Sequence, residues 1–193
     1  MSRNIRDDAE RYHQNNINLQ KRLIYISAEI DSDVAVEFIK NMDILEAASE
    51  ERDIQVRLYT PGGDETAGWA IYDRIRQSPC TVIGEVCGDC SSMGTIILQA
   101  FDHRIASEHS LFLFHEGSSE IPEDHVQNVK AAAKLIDLGN DWMYKIYMKS
   151  TGKTRKQLER VFRMDRYLTA PMALKEKFID EIKYPHIDPA WTK

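Results

Sequence analysis

The chain has 193 residues, 42% of them hydrophobic and 29% charged, and its formal net charge is −6. That length suits a single domain with a buried core, and an acidic chain without clustered lysine and arginine is poorly suited to binding nucleic-acid phosphates. The apolar runs are too short to cross a bilayer, and the polar residues 1–20 lack the apolar centre of a secretory signal. We therefore expect a cytoplasmic protein that binds neither nucleic acid nor membrane.

The first part of the chain, after a polar arm at residues 1–20, alternates between strand and helix patterns. In chain order, the predicted elements are a strand at 22–27, a helix at 31–48, a strand at 53–59, a helix at 64–77, a strand at 81–87, a turn at Gly88, a helix at 91–100, and strands at 104–106 and 111–115. Such alternation is typical of parallel βαβ units with right-handed crossovers and helices on both faces of the sheet. The sequence therefore predicts an α/β fold.

One predicted helix is unusually long for a chain of this size. Apolar residues recur at mainly helical spacing over residues 122–150. A helix of that length crosses the whole domain or projects from it, and a projecting helix needs a partner to cover its apolar stripe. Shorter helices are predicted at 154–162 and from Ala170, and residues 184–193 form an irregular tail. The sequence thus predicts one domain at 21–183.

The three cysteines are Cys80, Cys87 and Cys90. Cys87 and Cys90 form one C-x-x-C pair, but no second pair of Cys or His follows at the spacing of a structural zinc site. We favour buried thiols over a metal or redox site. No metal and no cofactor is expected.

Two turns and one histidine are candidates for catalysis. The run Thr60-Pro-Gly-Gly63 precedes a helix, where glycine N–H groups can bind a developing oxyanion, although a plain tight turn is the commoner use. In the second turn, Gly88-Asp-Cys-Ser-Ser-Met-Gly94, Ser91 and Ser92 are each either a helix cap or a nucleophile. His115 ends an apolar strand at the sheet edge where α/β sites are built, and a structural histidine is the alternative.

Several segments carry a family signature when they are taken together and in order. They are Arg22-Leu-Ile-Tyr-Ile-Ser, Thr60-Pro-Gly-Gly-Asp-Glu-Thr-Ala-Gly68-Trp-Ala-Ile-Tyr-Asp73, Ser91-Ser-Met-Gly94, Phe112-Leu-Phe-His115, Ser150-Thr-Gly152 and Asp165-Arg-Tyr-Leu-Thr-Ala-Pro171. These segments resemble conserved blocks of the ClpP proteolytic subunits of ATP-dependent Clp proteases. The resemblance covers residues 20–183. The chain resembles a divergent member of the family, such as the ClpP-like peptidases that phages encode.

The resemblance implies a fold and a set of site residues. The fold is the ClpP and crotonase type of spiral of repeated βαβ units, with the long helix at 122–150 projecting as a handle. Ser92 is then the nucleophile and His115 its general base, as in a serine peptidase. The backbone N–H groups of Gly63 and Met93 form the oxyanion hole.

The third member of the triad departs from the family pattern. Val161 follows Glu159 and Arg160 where the family carries an aspartate in a segment of form E-R-D. Asp165 is the nearest carboxylate and is the candidate acid, with a structural salt-bridge or cap residue as its alternative role. Three functions are compatible with these residues: a serine endopeptidase, a catalytically weak or inactive ClpP-like assembly subunit, and a crotonase-type acyl-CoA enzyme that shares the spiral fold.

The resemblance also implies partners. The chain is expected to form a homo-oligomer of two stacked heptameric rings, a tetradecamer, which a Clp-family ATPase unfoldase supplies with unfolded polypeptides. The acidic segment at 116–121 is expected to bind the substrate backbone as an added strand and to disfavour acidic peptides.

Overall fold

A computed structural model of the chain describes residues 16–117, 125–162 and 164–184. The strands are β1 (Ile17–Asn18), β2 (Leu23–Ile26), β3 (Ile54–Thr60), β4 (Val82–Ser91), β5 (His103–Ser107), β6 (Leu111–Phe114), β7 (Arg166–Thr169) and β8 (Glu181–Lys183). The helices are α1 (Ser32–Ala48), α2 (Glu65–Arg76), α3 (Met93–Leu98), α4 (Val126–Thr151), α5 (Arg155–Phe162) and α6 (Ala170–Lys175). No helix in these ranges has the length and apolar character needed to cross a membrane.

The described strands form one sheet in which β2, β3, β4, β5 and β8 run parallel. This arrangement confirms the predicted α/β fold with successive βαβ units. β1 pairs antiparallel with β2 and lies inside the segment predicted as an arm, so the ordered fold begins before residue 21. β7 and β8 are strands that the sequence reading did not include.

β4 is longer than the sequence suggests, and its last residues bring the site together. Gly88, predicted to be a turn, lies within the strand at φ 99°. The first half of β4 pairs with β5. Its last residues, Asp89, Cys90 and Ser91, pair parallel with β6. Because β4 continues through Ser91, the following helix begins at Met93 and not at the predicted residue 91.

Helices cover one face of the central strands more completely than the other. In β3, Ile54, Val56, Leu58 and Thr60 are buried, whereas the residues between them are exposed or half-buried. β4 alternates in the same way over most of its length. Helices were expected on both faces, but within the described residues the second face of β3 is largely open and carries Gln55, Arg57 and Tyr59.

The long predicted helix is present as α4, which spans 26 residues and is about 39 Å long at 1.5 Å per residue. The predicted start at Pro122 lies outside the described residues. Between Val126 and Leu138 no residue of α4 is buried, whereas from Gly139 onward the helix contributes Met143, Tyr144 and Tyr147 to the core. The first half of α4 therefore projects and the second half packs.

Candidate active site

Ser92 stands at the sharp turn between β4 and α3 in a strained backbone conformation, with φ 52° and ψ −123°. A non-glycine residue rarely adopts a positive φ, and such strain is typical of a nucleophile held at a strand-to-helix turn. The Ser92 N–H donates to Leu113 O at 2.8 Å, and the Ser92 carbonyl accepts from the Thr95 hydroxyl at 2.6 Å. Ser92 makes no side-chain capping bond. Of the two roles open to Ser92, the turn geometry therefore favours the nucleophile.

The neighbouring Ser91 has a different role. Its hydroxyl donates to Asp89 Oδ1 at 2.6 Å, and the residue is buried as the last position of β4. The sequence pattern left Ser91 and Ser92 equivalent, and this local hydrogen bond distinguishes them.

The turn after β3 lies directly against Ser92. A Cβ atom on Gly62, which has φ 96°, would stand 2.6 Å from Ser92 Cβ and 2.8 Å from Ser91 O. Gly63, at φ 145°, lies in a parallel β-bridge with Ile30. The residues on either side of Gly63 make the two hydrogen bonds of this bridge: the Ile30 N–H donates to Gly62 O, and the Asp64 N–H donates to Ile30 O. These glycines allow the backbones to approach each other closely. The pairing with Ile30 does not use the Gly63 N–H.

The N–H groups of Gly63 and Met93 are available to a ligand. Neither N–H has a hydrogen-bond partner within the part of the chain that the structure describes. Met93 opens a helix and Gly63 precedes one, so both N–H groups lie in a positive local field. Both residues line one cavity of about 240 Å³ together with Ser92 and His115.

His115 follows β6, whose last residue Phe114 packs against Tyr147, Phe162 and Phe178. This aromatic cluster fixes the strand end that presents the imidazole. His115 Nδ1 lies 2.6 Å from Glu116 O. A carbonyl can only accept, so Nδ1 carries the proton and Nε2 of the neutral ring is free to act as a base. No hydrogen bond joins Ser92 Oγ to His115 in the described residues.

Asp165 precedes β7, which pairs antiparallel with β6 in the register Phe114 to Arg166. Continuing this register by one residue sets Asp165 opposite His115, on the same face. Asp165 is exposed and makes no hydrogen bond or ion pair among the described residues. Val161 lies on α5, packs partly against the core and does not line the cavity.

The second half of α4 forms one side of the cavity and holds the segment that follows His115. Asn140 Oδ1 accepts from the Gly117 N–H at 2.8 Å, and the Tyr144 hydroxyl donates to Glu116 Oε1 at 2.6 Å. The sequence reading assigned this helix only to assembly and missed these contacts. Of the predicted substrate-binding segment at 116–121, residues 118–121 lie outside the described residues.

The remaining cavity walls were also missed from the sequence. They are Glu65, Trp69, Ile96, Gly139 and Met143. One local signal was present: glycine inside a helix, as at Gly139, is unfavourable and marks a close approach.

The cysteines lie in the strands and loops around the core. Cys80 and Cys90 are buried, Cys87 is half-buried, and burial raises the pKa of the Cys90 thiol. In the described ranges, no three His, Cys, Asp or Glu side chains are grouped so as to hold a metal ion.

Comparison with known proteins finds similarity to one family. The model of a family described as Clp protease matches residues 6–185. The ATP-dependent Clp protease proteolytic subunit 2 of Thermobifida fusca is 31% identical over 166 residues, which cover 85% of this chain and 81% of that protein. Subunit 1 of Corynebacterium jeikeium is 28% identical, covering 85% and 88%. The proteolytic subunit of Deinococcus radiodurans is 29% identical, covering 85% and 81%.

Proposed function

This chain belongs to the Clp protease family, and from that premise we propose that it is a serine endopeptidase subunit that cleaves peptide bonds of unfolded polypeptides. One observation carries the proposal. The strained Ser92, the His115 ring and the unpaired N–H groups of Gly63 and Met93 line the same cavity. These are the groups that acyl transfer requires: a nucleophile, a base and preorganised donors.

The chemistry follows from these groups. Ser92 Oγ attacks the peptide carbonyl carbon while His115 Nε2 takes the hydroxyl proton. The carbonyl oxygen becomes an oxyanion that accepts hydrogen bonds from Gly63 and Met93. His115 then gives its proton to the amine nitrogen as the C–N bond breaks, which leaves an ester on Ser92. A water molecule, deprotonated by His115, hydrolyses this ester and restores the serine.

Asp165 is the proposed acid of the triad. The register of β6 and β7 supports this role because extending it by one residue beyond Phe114 and Arg166 would set Asp165 opposite His115. In use, His115 Nδ1–H would donate to the Asp165 carboxylate in place of the Glu116 carbonyl. The carboxylate would then stabilise the imidazolium that forms when Ser92 loses its proton.

We further propose that the chain works as a homo-oligomer of stacked heptameric rings with α4 as the ring-to-ring handle. Leu135 and Leu138 are exposed on the projecting half of α4, with 66% and 45% of their surface accessible. Exposed apolar side chains on an unpacked helix favour association. A Clp-family ATPase is the proposed supplier of unfolded substrate, which agrees with the term ATP-dependent in the names of the relatives.

The test is labelling with a fluorophosphonate, which reacts only with an activated serine. The wild-type protein should take one label, Ser92→Ala should take none, and the neighbouring control Ser91→Ala should label like the wild type. Absence of label from the assembled wild-type protein would contradict the proposal and favour the inactive assembly subunit. Membership of the Clp protease family removes the crotonase-type alternative.

A further inference from the structure

A carboxylate lies in the cavity beside the nucleophile. Glu65 is the first residue of α2, is half-buried, and lines the cavity with Ser92. Its oxygens reach across to the opposite wall. A Cβ on Gly139 of α4 would stand 2.7 Å from Oε2, and a Cβ on Gly117 would contact Oε1. Both opposing positions are glycine, which leaves room for the carboxylate between α2 and α4.

No lysine or arginine acts on the charge of Glu65 among the described residues. Among the described residues it makes no hydrogen bond and no ion pair. Burial and the neighbouring Asp64 raise the pKa of Glu65, while His115 acts in the opposite direction. Because a half-buried charge without a partner is costly, a cation entering the cavity would relieve that cost.

The other walls suit a long side chain. Trp69, Met93, Ile96 and Met143 contribute apolar surface to the same cavity. Its volume of about 240 Å³ leaves room for a long side chain. Lysine and arginine combine an apolar stem with a charged end, so their stems would pack on these walls while the charge meets the carboxylate.

We infer that Glu65 determines specificity by selecting lysine or arginine at the P1 position, the residue whose carbonyl Ser92 attacks. This inference rests on the proposed function and adds to it the substrate class. An acidic P1 residue is rejected because its carboxylate would be buried against Glu65. A neutral aliphatic P1 residue packs against the apolar walls but leaves the Glu65 carboxylate without a cation.

The test compares peptide coumarylamides that differ only at P1, with lysine, norleucine or glutamate. For the assembled wild-type protein we expect kcat/KM for lysine to exceed that for norleucine by roughly tenfold, with glutamate the poorest substrate. Glu65→Gln, which keeps the size and removes the charge, should abolish the preference for lysine. Glu51→Gln, a change at an exposed carboxylate outside the cavity, should leave the preference unchanged.

A binding measurement provides a readout that does not depend on turnover. Ser92→Ala protein should bind a peptide ending in lysine more tightly than the norleucine peptide by calorimetry, and the added Glu65→Gln change should remove the difference. Equal binding, or a norleucine preference unaffected by Glu65→Gln, would overturn the inference. Fluorophosphonate labelling separates the two proposals, because a labelled protein without lysine preference retains the proposed function and loses only this inference.

Discussion

At the residue scale, Asp165 can be tested by a change that keeps its size. Asp165→Asn should lower kcat by about 10⁴-fold if the carboxylate orients His115 and stabilises the imidazolium. Peptide hydrolysis of the assembled variant measures this, and unchanged assembly shows that the subunit is folded. Near-native activity of Asp165→Asn would contradict the role of Asp165 as the triad acid. The Glu116 carbonyl, which accepts a hydrogen bond from His115 Nδ1, would then be the group that fixes the His115 tautomer.

The charge of Glu65 predicts a pH dependence of specificity. Because burial raises the pKa of Glu65, its carboxylate becomes neutral at a higher pH than an exposed glutamate does. The ratio of kcat/KM for lysine to that for norleucine should therefore fall as the pH is lowered through this raised pKa. Asp64 and His115 are the titratable groups that act on Glu65.

The control for this profile is the same ratio measured on Glu65→Gln. A general loss of activity at low pH affects both substrates and largely cancels in the ratio. A pH-dependent ratio that survives in Glu65→Gln would assign the effect to one of the other groups.

The proposed catalytic groups could be assigned from the sequence because the family resemblance rests on short motifs that contain them. Ser92 and Met93 are consecutive, and Gly63 ends a recognisable turn. Glu65 was missed because an acidic residue in the first turn of a helix is ordinary. Its neighbours in the cavity, Gly117 and Gly139, come from distant segments. Only tertiary structure brings such residues together.

At the scale of elements, one carboxylate ties three strands together on the polar face of the sheet. Glu85 of β4 accepts from Arg57 of β3 and from Lys183 of β8, each at 2.8 Å. Burial acts to raise the pKa of Glu85, but the bonds from Lys183 and Arg57 outweigh it, so the pKa is lowered. A lowered folded pKa contributes stability above the ordinary glutamate pKa, and that stability is lost as the pH falls through the folded pKa.

We expect Glu85→Gln to lower the free energy of unfolding at neutral pH by about 1 kcal/mol. The difference from wild type should shrink as the pH falls below about 4.3, the ordinary glutamate pKa. Urea unfolding at several pH values measures this. The exposed Glu51→Gln serves as the control, and a constant difference at every pH would show that Glu85 stabilises by packing and not by charge.

Element boundaries were harder to predict than element types. β7 and β8 have four and three residues, too few for an alternating pattern to stand out. Gly88 was predicted to be a turn because glycine commonly breaks strands. In the fold it occupies an irregular point of β4, where the pairing register with β3 shifts between Leu58 and Thr60.

At the scale of the whole molecule, we expect a charge placed on the projecting half of α4 to prevent the proposed assembly of rings. Leu135→Lys puts a charge on the apolar stripe at a side chain that is 66% exposed in the single subunit. The subunit should fold normally, and sedimentation should show single rings or monomers in place of the proposed tetradecamer. Asp137→Lys, on another side of the same helix, should assemble normally. A full-sized particle from Leu135→Lys would contradict the proposed role of α4.

The backbone of Ser92 sets a trade-off between activity and thermal stability. Its φ of 52° and ψ of −123° suit glycine far better than serine. Ser92→Gly should therefore raise the melting temperature while it abolishes hydrolysis, whereas Ser92→Ala keeps the unfavourable backbone. Engineering that selects only for thermostability would tend to remove the proposed nucleophile. The most stable version of this protein is expected to be an inactive one.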